Sequence, residues 1–278
     1  MKFENTQVMN FEGAFRGMRN SFESWIKSDS SFGCTNFAWN SVDYDIAYEW
    51  CKKEFVTPDD EERYDEVEGK YLHWLHENGI LKLSDDFIEY AYLGPVDLNL
   101  AQRLVKAGPS HRKFLRQIMV SVDITAPLYW WKEFDTYKIG TTANSTSTMH
   151  TLSSTPITMD CFEMGDFVKD LSLYEREPYN EDWSIEHTWI NTINDLETLR
   201  KKIVETHDNR YWKELIRLLP ESWLQTRTVT MNYEVLRNIF VQRKEHRLTE
   251  WHKFCDWIKT LPYAKELIVY ELDFIKKI

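Results

Sequence analysis

The stretch from Asp123 to His150 constrains the fold of this 278-residue chain more than any other. Polar and apolar residues alternate from Val120 to Thr125, which predicts a β-strand with one buried face. Thr125 is then expected to cap a helix whose first turn contains Pro127, where a missing N–H costs nothing. We expect three apolar residues of this region to face the core: Leu128, Trp131 and Ile139.

Residues 141–148, which follow Gly140, carry mostly hydroxyl and amide side chains. Such a run supplies many hydrogen-bond donors and acceptors to a polar ligand. The same residue types also cap helices and form turns. On the residues alone, both interpretations stay open.

The composition excludes several function classes. A net charge of −11 argues against general binding of nucleic acid or anionic membranes, because both require a basic surface. The 4 cysteines show no CxxC spacing, which indicates reduced thiols and neither a disulfide framework nor a zinc site. The N-terminus lacks the apolar region of a signal peptide, and no window approaches the ~20 apolar residues of a membrane span. We therefore expect a cytoplasmic protein without a bound metal.

Helical periodicity dominates the rest of the chain, and no repeat or break in composition divides it. We predict an α+β fold, mostly helical around a small sheet, as one domain over residues 1–278. Two elaborations are expected. An acidic helical segment spans residues 57–79, with its acids on a solvated face, and an irregular surface excursion spans residues 151–187.

Residues 228–259 form the longest uninterrupted helical pattern, with an extended entry and a helix that begins near Asn232. Asn232 and Arg243 share one helical face, roughly 16 Å apart. This separation suits a ligand with a polar group at one end and a phosphate or carboxylate at the other, since an arginine fork grips anionic oxygens. Arg247 would extend the positive end. Alternatively, the segment is an amphipathic core helix with an Asn cap and snorkelling arginines.

Together, these segments resemble the flavin-dependent thymidylate synthase family. Residues 126–139 follow, without a gap, the strand-to-helix segment that precedes the family's Arg-His-Arg motif, and residues 144–147 resemble the Asn-Glu-x-Ser after it. Four features match the family's Leu-Pro…Asn…Asn…Arg pattern at unbroken spacing: Leu219-Pro220, Asn232, Asn238 and Arg243. The matched parts cover roughly a quarter of the chain. The whole chain is also similar to a divergent branch that is common in phages and their Gram-positive hosts.

This chain departs from the family at several motif positions. Thr136-Tyr137-Lys138 stands where the family has Arg-His-Arg, and the interval to Ser147 is one residue longer. Ser145 replaces a glutamate and Met149 replaces an arginine, which removes one phosphate contact of about 1.5–3 kcal/mol. Lys138 keeps one positive charge. Tyr137 keeps a ring and a donor, but it cannot carry a proton at neutral pH as histidine does.

The resemblance implies a homotetramer with flavin and nucleotide sites at subunit interfaces. It assigns a pyrimidine nucleotide, dUMP in the family, to Lys138, Asn144, Ser147 and Arg243. It assigns FAD to Tyr137, Asn232, Asn238 and Arg247. NADPH and methylenetetrahydrofolate would be co-substrates, and no protein residue is expected to act as a nucleophile.

Three functions are compatible with these departures. The first is methylation of dUMP by reduced flavin and methylenetetrahydrofolate. The second is the same fold kept as a nucleotide-binding or sequestering protein without redox turnover, in phage–host conflict. The third is a flavoenzyme that acts on another pyrimidine nucleotide.

Overall fold

The computed structural model describes residues 1–35, 81–83, 88–165 and 185–270. The predicted acidic helical segment 57–79 and residues 166–184 of the predicted excursion lie outside the described residues. None of the described helices is both long enough and apolar enough to cross a membrane.

The described residues form helices and strands in mixed order, which confirms the α+β class. The helices are α1 (Phe11–Arg19), α2 (Pro95–Ala107), α3 (Leu128–Phe134), α4 (Thr148–Thr151), α5 (Ile185–Thr206), α6 (Asn209–Leu218), α7 (Tyr233–Arg243), α8 (Thr249–Lys259) and α9 (Ala264–Leu267). The strands are β1 (Lys2–Met9), β2 (Ser31–Thr35), β3 (Leu81–Leu83), β4 (Ile88–Tyr92), β5 (Met119–Pro127), β6 (Thr142–Ser145) and β7 (Leu224–Asn232).

The strands form two small sheets. One has four strands in the order β1-β5-β7-β6, so β6 is an edge strand. The other has three strands in the order β2-β4-β3. It is antiparallel, with Ser31 opposite Tyr92 and Leu83 opposite Ile88.

Strand β5 confirms the predicted alternation, because every second residue from Val120 to Ala126 is buried. The strand continues to Pro127, so the prediction that Thr125 caps a helix is wrong. Its hydroxyl lies 2.7 Å from the Thr226 hydroxyl instead. Trp131 is buried as expected, whereas Ile139 is 92% exposed because helix α3 ends at Phe134, before Ile139.

Contacts between Cα atoms divide the chain into two compact units, and each is built from separated chain segments. Unit 1 comprises residues 1–6, 122–138 and 142–229. Its first cluster is aromatic: the rings of Trp130 and Phe134 stack at 5.0 Å, and Trp131 meets Phe134 edge-on at 5.4 Å. All three side chains are buried, so α3 is fixed by large apolar contacts.

A second core in unit 1 lies along α5 and α6. It contains Leu152, Ile157, Phe162, Leu196 and Leu215, each at most 3% exposed. The first three belong to the predicted surface excursion, so that prediction is wrong for these three side chains, whereas the residues between them are exposed or partly exposed. Leu152, Ile157 and Phe162 are five residues apart, a spacing typical of neither a helix nor a strand, and they become buried against the faces of the two helices.

Unit 2 comprises residues 7–121, 139–141 and 230–278. Phe11 of α1 contacts the rings of Tyr233 and Tyr263, each with its centroid 5.8 Å away. The buried carboxylate of Asp97 accepts hydrogen bonds from Arg19 and from the Ser28 hydroxyl, which ties α2 to the segment after α1.

The predicted long C-terminal helix is two helices, α7 and α8. Its extended entry and its start after Asn232 are confirmed, but the helix ends at Arg243 and resumes at Thr249. The guanidinium carbon of Arg243 lies 4.6 Å from the centroid of the buried Trp251 ring. In a continuous helix, these residues would be separated by ~12 Å along the axis. The break therefore lets Trp251 fold back onto the end of α7.

Candidate functional site

Tyr137 and Lys138 lie just after α3 in unit 1. The Tyr137 backbone N–H donates to the carbonyl of Phe134 at 2.9 Å, and the two rings lie 6.3 Å apart. Tyr137 is half-buried, so its position is set by the aromatic core. Lys138 is exposed and forms no ion pair with any described residue, so its ammonium group is available to an anion.

The hydroxyl-rich run forms edge strand β6 and the start of α4. All four residues of β6, including Asn144, are exposed. Ser147 occupies the N-cap position of α4, but its hydroxyl makes no capping hydrogen bond. A serine at this position usually accepts a hydrogen bond from the first turn. Asn144 and Ser147 thus both present polar groups that a ligand can reach.

Two residues of β7 that the sequence interpretation missed hold this run in place. Gln225 donates from Nε2 to the carbonyl of Thr146 at 2.9 Å, and Arg227 donates from Nε to Oε1 of Gln225 at 3.0 Å. The Arg227 guanidinium also donates to Asp135 at 2.7 Å and stacks 4.3 Å over the Trp131 ring. A glutamine and an arginine two apart, on the same side of a strand as buried apolar residues, were the available sequence signal.

Asp123 is an ionised group on the polar side of β5 in unit 1. Its carboxylate accepts hydrogen bonds from the Thr228 hydroxyl at 2.5 Å and from the Asn5 amide at 2.7 Å. These two hydrogen bonds lower the pKa of the Asp123 carboxyl. This side of the strand therefore carries a negative charge at neutral pH.

Helix α7 in unit 2 carries the other candidate residues. Asn232 is its N-cap: the side-chain oxygen accepts from the Val235 N–H at 3.0 Å, and the residue is 8% exposed. Asn238 lies in the middle of the helix and is exposed. Arg243 is partly exposed in the last turn, above Trp251. The structure thus combines the predicted Asn cap with a polar helix end.

Arg247 does not lie on the helix that carries Arg243. It is in the break between α7 and α8, where it is exposed. The expectation that Arg247 extends the positive end by one further helical turn is therefore wrong. Its side chain remains a surface cation close to Arg243 in sequence.

Gly140 brings the turn at residues 139–141 against the start of α7 within unit 2. Its φ is +76°, and a Cβ placed there would lie 3.1 Å from the Asn232 amide nitrogen and 3.0 Å from Val235. Only glycine adopts this conformation at such close range without strain. The Thr141 hydroxyl is buried without a hydrogen-bond partner in the described part of the chain.

The residue types at the candidate positions fit the ligands that the resemblance implies. Lys138 and Arg243 are cations suited to a phosphate, and Asn144 and Ser147 supply neutral polar groups. For a flavin nucleotide, the chain offers a phenol ring at Tyr137 and exposed polar side chains at Asn238 and Arg247. The side-chain oxygen of Asn232 already accepts the capping hydrogen bond, and its amide N–H groups can donate to a ligand.

No protein-family model matches the sequence, and no curated protein is significantly similar to it. Solved structures to which this chain is similar include the flavin-dependent thymidylate synthase ThyX of Helicobacter pylori complexed with FAD and dUMP. That chain is 17% identical with a TM-score of 0.44, over 84% of this chain and 97% of the other. A second structure of the same enzyme is 15% identical to this chain with a TM-score of 0.47, and the match covers 85% of this chain and 97% of the other. The UMP/dUMP methylase PolB of Streptomyces cacaoi, bound with 5-Br UMP, is 13% identical with a TM-score of 0.45. The match covers 63% of this chain and 82% of the other.

Proposed function

We propose that this protein binds FAD and methylates dUMP or a related pyrimidine nucleotide, as a flavin-dependent thymidylate synthase does. The observation that carries the proposal is helix α7. Its N-cap is Asn232 and its last residue is Arg243, with Asn238 on its exposed side. The Asn…Asn…Arg part of the pattern that the sequence shares with the family therefore falls on one uninterrupted helix and its N-cap.

The nucleotide is held by two sets of polar groups. Arg243 and Lys138 bind the phosphate, which compensates in part for the arginine that Met149 replaces. Asn144 and Ser147 donate hydrogen bonds from a run whose hydroxyl and amide groups are not engaged in capping. Support for this assignment comes from the exposure of Asn144 and the uncapped Ser147 hydroxyl.

Tyr137, Asn232, Asn238 and Arg247 bind the flavin. When bound, reduced flavin supplies hydride to the uracil ring, while methylenetetrahydrofolate supplies the carbon and NADPH reduces the flavin. The protein's own contribution is to bind and orient these molecules and to exclude water. We further propose a cytoplasmic homotetramer of the phage-type branch, with a single domain over residues 1–278.

One observation favours a second function, nucleotide binding or sequestration without turnover in phage–host conflict. The Thr136 hydroxyl donates to the Glu133 carbonyl at 2.7 Å, so it caps the end of α3. An arginine at this position would instead reach outward to a ligand. The side chain that replaces the first motif arginine therefore has a structural role.

Turnover separates the two functions. The purified protein is assayed for bound flavin by its absorption, for dUMP and UMP affinity by calorimetry, and for methylated product with NADPH and methylenetetrahydrofolate. Yellow protein that forms dTMP, and that rescues a thymidine-requiring bacterium, is the expected result. Colourless protein that binds dUMP without turnover would establish the second function. Binding of neither nucleotide would refute both.

A further inference from the structure

Arg227 is a largely buried cation to which the proposed function gives no role. Its side chain is 16% exposed. Nη1 donates to Asp135, Nε donates to Gln225, and the guanidinium plane lies over the Trp131 ring. These three contacts come from different directions and hold the guanidinium in one orientation. Because Asp135 neutralises its charge, Arg227 is poorly suited to bind a phosphate itself.

Gln225 connects the oriented Arg227 guanidinium to the hydroxyl-rich run through two hydrogen bonds. Its side chain is buried, with Oε1 toward Arg227 and Nε2 toward the Thr146 carbonyl. The amide is planar, so the bond from Arg227 to Oε1 selects the orientation in which Nε2 faces Thr146. Without that bond, the amide can turn over and place its oxygen against the Thr146 carbonyl oxygen, where the two acceptors repel.

Thr146 is held at its other backbone group as well. Its N–H donates to the Thr226 carbonyl at 2.9 Å, and its hydroxyl lies 3.2 Å from the same oxygen. With the Gln225 bond, both the N–H and the carbonyl of Thr146 are tied to β7. Thr146 lies between Asn144 and Ser147, so fixing it fixes the direction of both polar side chains.

We propose that Arg227 is a positioning residue of the nucleotide site, which acts through Gln225 and Thr146. It keeps Asn144 and Ser147 in the conformation that receives the ligand. Through Asp135 it also anchors the residue just before Thr136-Tyr137-Lys138. This inference rests on the proposed function. Because ordering a flexible side chain on binding costs affinity, loss of the Arg227 contacts should weaken dUMP binding by ~10-fold.

Arg227→Lys tests this role, and Arg200→Lys is its matched control. Arg200 lies in the same unit, is 14% exposed, and donates to Glu197 and to the Ser153 carbonyl. Both variants keep the charge and lose a guanidinium that ties a loop to its neighbours. For each variant we would measure the midpoint of thermal unfolding, hydrogen exchange of peptides covering residues 142–151, and dUMP affinity.

We expect Arg227→Lys to speed exchange in residues 142–151 and to raise the dUMP Kd by ~10-fold. Arg200→Lys should leave both unchanged at a similar loss of thermal stability. Equal dUMP affinity and equal exchange in the two variants would overturn the inference.

A second variant covers the case in which Arg227→Lys fails to fold. Gln225→Glu keeps an acceptor for Arg227 and removes only the donor to Thr146. It should reproduce the faster exchange and weaker binding, and unchanged values would again overturn the inference. If the wild-type protein binds neither dUMP nor UMP, the proposed function fails instead. Unchanged exchange in residues 142–151 would then overturn the Arg227 linkage separately.

Discussion

Replacing Asn232 with two different residues separates its capping role from its proposed role in binding. Its side-chain oxygen accepts from the Val235 N–H, and the residue is 8% exposed. Asn232→Ala leaves this N–H without its partner, at a cost of about 1 kcal/mol. Asn232→Asp keeps an acceptor at the N-terminus of α7, where a negative charge is favourable, so its cost should be only a few tenths of a kcal/mol.

Both variants should weaken flavin binding, although they differ in stability. The side-chain amide nitrogen of Asn232 lies at the turn of Gly140, and aspartate has no N–H to replace it. We therefore expect Asn232→Asp to unfold close to the wild-type temperature while losing flavin affinity. Asn232→Ala should unfold ~2–4 °C lower and lose flavin affinity as well.

Thermal unfolding by circular dichroism and titration of FAD by fluorescence quenching would measure these effects. Asn191→Asp is the control for the added charge, because Asn191 is exposed within α5 and has no proposed role in binding. If Asn232→Asp destabilised the protein as much as Asn232→Ala, the capping argument would be refuted. If it bound FAD with wild-type affinity, Asn232 would have no role in flavin binding.

Two further predictions concern stability. The hydrogen bond from Arg200 holds the pKa of Glu197 at about 2, against an ordinary value of 4.5. A lowered pKa stabilises the fold above pH 4.5, and this contribution is lost as the pH falls toward 2. Glu197→Gln should therefore lower the free energy of unfolding, measured with urea, by about 1–3 kcal/mol at pH 7. The free energies of the variant and the wild type should converge near pH 2. A constant difference between them at all pH values would contradict this. Gly140→Ala, at a φ of +76°, should cost about 1–2 kcal/mol by the same assay, and a neutral effect would show that the turn relaxes without strain.

Local patterns predicted the elements that have a regular periodicity or a clear capping residue. The alternation around Asp123 predicted β5 and its buried face. Asn232 was identified as the start of a helix, and α7 begins directly after it. In each case, one or two residues next to the element determine its boundary through local sterics or a local hydrogen bond.

Other features depend on contacts between residues far apart in sequence. The break after Arg243 was missed because the apolar periodicity continues on both sides of it. At the break, Trp251 packs against the end of α7, a contact that the apolar periodicity does not reveal. Likewise, Leu152 and Phe162 looked like surface residues because residues distant in sequence, on α5, on α6 and at Trp223, bury them.

The candidate site was predictable only to the extent that a motif resembled a known family. Asn144, Ser147 and Arg243 were chosen by their spacing, and their assignment to a nucleotide remains a prediction. The supporting pair Gln225 and Arg227 was missed because its hydrogen bonds to Thr146 and Asp135 join residues far apart in sequence. Such bonds have no fixed sequence spacing.

The central claim is that Arg243 binds the phosphate of a pyrimidine nucleotide, and a comparison of dUMP with deoxyuridine tests it most directly. Calorimetry of the wild-type protein should show a much higher affinity for dUMP than for deoxyuridine. Arg243→Ala should weaken dUMP binding by about 1.5–3 kcal/mol, at least tenfold in Kd, and leave the affinity for deoxyuridine unchanged. Arg16→Ala, which removes an exposed arginine of α1, should change neither. A full preference for dUMP over deoxyuridine in folded Arg243→Ala would contradict the account.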